Sequence, residues 1–268
     1  MSESIWIKFY KQGGLEKTIS FEKAEEEIEL LSKKLISKGI SEGDRVIVQL
    51  PNSIEAVLTY FALKKLRATA VPINPEESQQ RTDFIIENCY PKAVISESEI
   101  KLLTNQETVY SRKYSGKITT MIYTSGTTGQ PKGGCLSWEN WEANTNALIK
   151  HHGLNSSVSV ATPLPLFHCN AHGFGMYSTF LSKSKLILFD KTSDNFLDIA
   201  NEEKVDVVSV VPAILQKLLE NNQNWIPHDN LKYFLTAASP LRPDLLKLNI
   251  RAWHIKVVQG YGLTESKK

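Results

Sequence analysis

The chain has 268 residues, of which 41% are hydrophobic and 22% charged, with a formal net charge of +2. These are ordinary globular values, with length enough for one large domain or two smaller ones, and the small charge argues against a nucleic-acid partner or an electrostatic membrane contact. Three widely spaced cysteines, Cys89, Cys135 and Cys169, make neither a disulfide framework nor a cysteine zinc site, so a reducing, cytoplasmic compartment is expected.

The start, Met-Ser-Glu-Ser-Ile-Trp-Ile-Lys, has no basic segment followed by a long apolar run, so it does not read as a signal peptide. No stretch approaches the roughly 18 apolar residues that span a bilayer. Ser20 can cap a helix with Phe21, Ala24, Ile28, Leu31 and Leu35 at helical spacing, stopping near Gly39. A strand over Arg45–Leu50 follows. Asn52 and Glu55 then have the spacing of a capping box, ahead of an apolar helix through Leu63. Thr69–Ile73 reads as a buried strand, Ser78–Asn88 as a helix and Lys92–Ile95 as a strand. Residues 98–117 are polar and unperiodic and read as a linker or surface loop.

Alternation resumes with a strand at Thr119–Tyr123, a glycine-rich loop, and a helix from Ser137 to about His151. Strands are expected at Val158–Ala161, Lys185–Phe189, Val205–Val210, Tyr233–Ala237 and Ile255–Gln259, with helices such as Ala213–Asn221 between most of them. Strands alternating with helices imply an α/β protein with mostly parallel sheets covered by helices. Ligands of such sheets bind beyond the carboxyl ends of the strands. The expected division is a first α/β subdomain over 1–110 and a second, with the glycine loop, over 111–268.

Chemistry concentrates in Thr124-Ser-Gly-Thr-Thr-Gly129-Gln-Pro-Lys132-Gly. Hydroxyls and glycines directly after a strand can cradle phosphate oxygens, because glycine lets backbone N–H groups approach closely. Lys132 adds a cation suited to a polyphosphate. A Walker loop needs Gly before the Lys and Ser or Thr after it. Here Pro131 precedes Lys132 and Gly133 follows.

Taken whole, Tyr-Thr-Ser-Gly-Thr-Thr-Gly-x-Pro-Lys-Gly resembles the signature loop of the adenylate-forming superfamily, which holds acyl- and aryl-CoA ligases, luciferases and peptide-synthetase adenylation domains. Val71-Pro-Ile-Asn74-Pro75, Pro165-Leu-Phe-His168, Leu235-Thr-Ala-Ala-Ser-Pro240-Leu and Gln259-Gly-Tyr-Gly-Leu-Thr-Glu265 resemble further motifs in the same order. The resemblance covers nearly the entire chain and implies a fold of two layered, mostly parallel sheets flanked by helices, the N-terminal large-domain core of such an enzyme. The implied reaction joins a carboxylic acid to the α-phosphate of ATP with Mg²⁺, then passes the acyl group to CoA.

Residue by residue, the resemblance implies that Thr124, Ser125, Gly126, Thr127, Thr128, Gly129 and Lys132 hold the β- and γ-phosphates. Ala238 and Ser239 line the adenine pocket. Tyr261 stacks on adenine, between Gly260 and Gly262, and Gln259 opens that motif. Thr264 contacts the α-phosphate and Glu265 holds the metal. Phe167, His168, Gly173 and Gly260 border the acid, and His168, Thr264 and Glu265 are the catalytic set. The sequence departs from the pattern at Ala237, where the family's loop begins with Gly, and at 66–70, which lacks a Gly.

Peptide-synthetase domains place an Asp near the Phe167 position to pair an α-ammonium. No Asp occurs between Thr162 and Phe189, so a fatty or aryl acid is expected. The pair His168 and His172, with Cys169 beside it, also permits a metal reading, but no further ligand has sensible spacing. Cys169 reads as a small packed residue or a reactive thiol. Trp138 and Trp141 read as packing residues.

Family members run to about twice this length. The motifs expected after Lys268, with the C-terminal domain and its catalytic lysine, are not in the sequence. The chain is therefore expected to be part of a longer ligase with weak or no turnover alone, half of a split ligase, or a nucleotide- or acid-binding module. A homodimer or a complementing C-terminal domain is the partner expected to cover the exposed end.

Overall fold

The computed structural model describes residues 4–103, 118–124, 131–262 and 264. The elements begin with β1 (Ile5–Lys11), β2 (Gly14–Ser20), α1 (Phe21–Ser37), β3 (Arg45–Gln49), α2 (Ile54–Lys65), β4 (Thr69–Pro72), α3 (Gln79–Cys89), β5 (Ala93–Ser96) and β6 (Ile100–Leu102). They continue with β7 (Ile118–Thr124), β8 (Lys132–Ser137), α4 (Trp138–His152), β9 (Ser159–Thr162), a π-helix (Ala171–Tyr177), α5 (Ser178–Ser182) and β10 (Lys185–Phe189). The last are α6 (Phe196–Glu202), β11 (Val207–Val210), α7 (Pro212–Asn221), β12 (Tyr233–Thr236), α8 (Pro243–Trp253) and β13 (Lys256–Gln259).

The strands form two mixed, mostly parallel sheets. One runs β13-β12-β11-β9-β10-β1-β2 and the other β6-β5-β3-β4-β7-β8. Among the described residues only β1–β2, β5–β6 and β7–β8 pair antiparallel, and each of these pairs lies at a sheet edge. The central strands β4, β9 and β11 are buried on both faces, as parallel strands covered by helices must be. Each sheet anchors one compact unit. The first comprises Met1–Phe21, Thr145–Pro165 and Asn170–Leu263; the second comprises Glu22–Asn144, Leu166–Cys169 and Thr264–Lys268. The boundary expected at residue 110 lies outside the described residues.

In the first unit, Phe189, Phe196, Val208, Leu215, Phe234 and Trp253 form a single buried cluster. Trp6 on β1 is fully buried, stacks on Phe21 with centroids 5.6 Å apart, and donates its Nε1–H to Thr179 Oγ1 at 3.1 Å. Glu203 gathers Lys8 at 2.7 Å, Tyr10 at 2.7 Å and Lys185 at 3.3 Å, tying β1, β10 and the end of α6 together. In the second unit, Ile47, Val71, Ile85 and Met121 join β3, β4, α3 and β7. Trp141 is buried there and donates to Thr120 Oγ1 at 2.6 Å, while Lys64 lies 3.5 Å over the Trp138 ring. Both tryptophans are thus packing residues.

Two sequence readings are corrected, and one pair of strands had no reading. Before Ser20, where the sequence was assigned no element, β1 and β2 form a hairpin through Gln12 and Gly13, both at positive φ. The turn uses Gln-Gly in place of Asn-Gly, the commoner signal for this turn. Ile100–Leu102, inside the expected linker, pairs with β5. Between the glycine loop and α4 stands β8, whose Gly133-Gly134-Cys135 stretch lacks β-branched residues and is held in the sheet by pairing with β7. Among the described residues, no helix is long and apolar enough to cross a membrane.

Candidate active site

In the first unit, β12 and β13 run parallel with Thr236 opposite Gln259, so the segments after both strands leave the same end of the sheet side by side. Ala238 and Ser239 follow β12, and both are exposed. Ala238 takes φ +74°, a left-handed conformation costly for a residue with a Cβ. The strain falls on Ala238 and not on Ala237, which the sequence comparison with the motif singled out. Gln259 Nε2 donates to the Ser239 carbonyl at 3.1 Å, and Gly260 N donates to the Thr236 carbonyl at 2.7 Å, fastening the two segments together. Beyond that point Tyr261 is 94% exposed. An aromatic ring left in water at a strand's carboxyl end is available to stack on a planar ligand. Gly262 has nothing within 4 Å of where a Cβ would stand. Gly173 lies in this unit too, buried in the π-helix, where its carbonyl accepts from Ser178 Oγ at 3.0 Å.

In the second unit, Thr124 ends β7 and Lys132 begins β8, paired across the hairpin with Lys132 exposed. Ser125, Gly126, Thr127, Thr128 and Gly129, and likewise Glu265, lie outside the described residues. Phe167 and His168 are adjacent rings with centroids 4.6 Å apart. They line a shallow cavity with Ile73, Asn74, Arg81, Ile85 and Tyr123. Arg81 Nε lies 3.1 Å from Glu77, and Tyr123 Oη donates to Asn88 Oδ1 at 2.6 Å. Thr264 is held against Cys169, its Oγ1 3.1 Å from Cys169 Sγ.

Desolvation on the side facing the cavity lowers the pKa of His168 from the ordinary histidine value, although the residue as a whole is exposed. The paired rings of Phe167 and His168 give this side of the cavity an aromatic wall. The arrangement within each unit can therefore be read chemically. The first offers an exposed aromatic and flanking small residues for a base. The second offers an exposed lysine, hydroxyls and a half-apolar recess.

Two contacts in this region were not read from the sequence. Asn52, expected as part of a capping box, accepts from Leu166 N at 2.8 Å with its Oδ1. It anchors the backbone just before Phe167, and Ser53 caps α2 instead. The Cys169–Thr264 contact joins residues 95 apart in sequence, and no local pattern announces it.

The AMP-binding enzyme family matches residues 6–118 and 108–267. The long-chain-fatty-acid–CoA ligase FadD13 of Mycobacterium tuberculosis is 28% identical over 267 residues, which cover 87% of this chain and 52% of that protein. The 2-succinylbenzoate–CoA ligase of a Geobacillus species is 27% identical over 268 residues, covering 92% of this chain and 54% of that protein. The chain thus spans about half the length of the curated relatives it matches. The inhibitor-bound crystal structure of the N-terminal domain of FACL13 from Mycobacterium tuberculosis superposes with a TM-score of 0.84 at 23% identity, covering 97% of this chain and 72% of that one. At that identity the likeness speaks to the fold.

Proposed function

The chain belongs to the AMP-binding enzyme family, and from that premise we propose that it is the nucleotide-binding part of an acid–CoA ligase. A carboxylate oxygen attacks the α-phosphorus of ATP, the bond to pyrophosphate breaks, and an acyl-adenylate forms. The sulfur of CoA then attacks the acyl carbon and AMP leaves. The observation that carries the reading is the 94% exposed Tyr261 ring beyond β13, beside the Ala238–Ser239 segment that leaves the parallel neighbour β12.

In this reading adenine stacks on Tyr261 and is flanked by Ala238, Ser239, Gln259, Gly260 and Gly262. Thr124, Lys132 and the intervening loop hold the β- and γ-phosphates, and Thr264 meets the α-phosphate. Two anions must approach, so the chain's donors and cation serve chiefly to offset charge. Glu265 would hold Mg²⁺, which would supply further charge neutralisation to the phosphates. Phe167, His168, Gly173 and Gly260 border the acid, which is fatty or aryl. The absence of Asp between Thr162 and Phe189 supports an acid without an α-amino group. The names of FadD13 and the 2-succinylbenzoate ligase span the same two acid types. A C-terminal domain completes the site, and the protein works in the cytoplasm.

ATP–pyrophosphate exchange across a panel of fatty and aryl acids tests this, using the chain joined to the C-terminal domain of a relative. Exchange is expected with at least one acid, weakened by Lys132→Ala and abolished by Glu265→Ala. Nucleotide binding without exchange for any acid would leave a binding module and contradict the enzyme.

A further inference from the structure

Thr264 is gripped at both of its γ substituents. Its Oγ1 lies 3.1 Å from Cys169 Sγ. Its methyl packs against β8, so closely that a Cβ added at Gly134 would stand 3.2 Å from Thr264 Cγ2 and 3.5 Å from the Ile122 carbonyl. All of these residues belong to the second unit. A threonine has one side-chain torsion, and fixing the hydroxyl and the methyl together fixes that torsion. The thiol can donate S–H to the threonine oxygen, which leaves the threonine's own O–H to donate elsewhere. An anionic phosphate oxygen is the acceptor that gains most from such a donor.

We infer that Cys169 is a positioning residue: through Thr264, and with Gly134 as the shape partner, it aims the Thr264 hydroxyl at the α-phosphate of the bound nucleotide. This rests on the reading of Thr264 as the α-phosphate contact. A purely space-filling role would be met nearly as well by alanine, which keeps the small size and loses only the hydrogen bond.

The test is a calorimetric titration of the chain with AMP and with adenosine, accompanied by thermal unfolding. The proteins are the wild type, Cys169→Ala, Cys169→Ser, Thr264→Ala and the double variant Cys169→Ala/Thr264→Ala. Loss of one neutral hydrogen bond predicts that Cys169→Ala weakens AMP about fivefold. Adenosine, which lacks the phosphate, should change by less than about twofold, and Cys169→Ser should restore AMP binding. In the Thr264→Ala background, Cys169→Ala should cost nothing further, because the group it acts through is gone. Equal losses for AMP and adenosine, an unchanged AMP affinity in Cys169→Ala, or a full loss in the Thr264→Ala background would each overturn the inference while leaving nucleotide binding intact. A wild type that binds neither ligand, or a Thr264→Ala variant with unaltered AMP affinity, would instead remove the reading on which the inference stands, and the inference with it.

Discussion

His152 closes α4 with its Nδ1 2.8 Å from the Tyr233 hydroxyl and its ring edge-on to Phe174 at 5.0 Å. Burial, and then the neighbouring His151, push its pKa down from 6.5 to about 4. The unfolded chain takes up this proton as pH falls through 6.5, the folded chain only near 4. Between those values the unfolded state binds more protons, so stability is lost as pH drops. His152→Gln keeps a hydrogen-bonding side chain without the titration and should flatten this stretch of the stability profile. Denaturant unfolding near pH 7 and about pH 5 measures it, and an unchanged slope would contradict the assignment. The sequence placed His152 at a helix end, but the Tyr233 partner that buries it is 81 residues away and invisible in any local window. Tyr261 is the opposite case. Its motif is local and legible in Gln259–Glu265, its adenine role came with the resemblance that motif carries, and its exposure came from the structure.

Elements owe their boundaries to single side chains that sequence patterns can misassign. Asn52-Ser53-Ile54-Glu55 offers two candidate caps for α2. Ser53 takes the position, its Oγ accepting from Ala56 N at 3.1 Å, and Asn52 is released to hold Leu166 N. Both residues could cap by local chemistry, and the long-range contact decides between them. Replacing Ser53 by Ala should cost about 1 kcal/mol. Asn52→Ala removes an acceptor from a buried backbone N–H and should cost about 1–3 kcal/mol. Only the second should also disturb the segment carrying Phe167 and His168, seen as a shift of the His168 ring resonances. Equal perturbation of those resonances by both variants would refute the distinction. The parallel strands were legible because their apolar runs are bounded by turn residues. The edge strands β2, β6 and β8 were not, because strands with one open side carry weaker patterns and take their identity from a neighbour, and β1, paired on both sides by β10 and β2, was missed with its hairpin partner.

Across the whole molecule, each unit is assembled from separated stretches of chain. The N-terminal hairpin joins a sheet completed by β10, with Ile7 opposite Leu186, and residues 166–169 and 264 belong to the unit built largely from residues 22–144. A division read linearly along the sequence has no means of seeing such exchanges. The motifs were easier to read than this architecture, because phosphate and base recognition need particular residue types at fixed spacing, whereas sheet partnership depends on distant surface.

The central claim is that this chain binds an adenine nucleotide through Tyr261, and titration of the chain with AMP tests it most directly. Saturable binding at one site is expected. Tyr261→Ala should weaken it by about tenfold, in line with aromatic–base stacking of roughly 1–3 kcal/mol. Tyr90→Ala, at an exposed tyrosine elsewhere in the chain, should leave it unchanged. A folded chain that shows no saturable AMP binding, or whose binding is indifferent to Tyr261→Ala, would contradict the account.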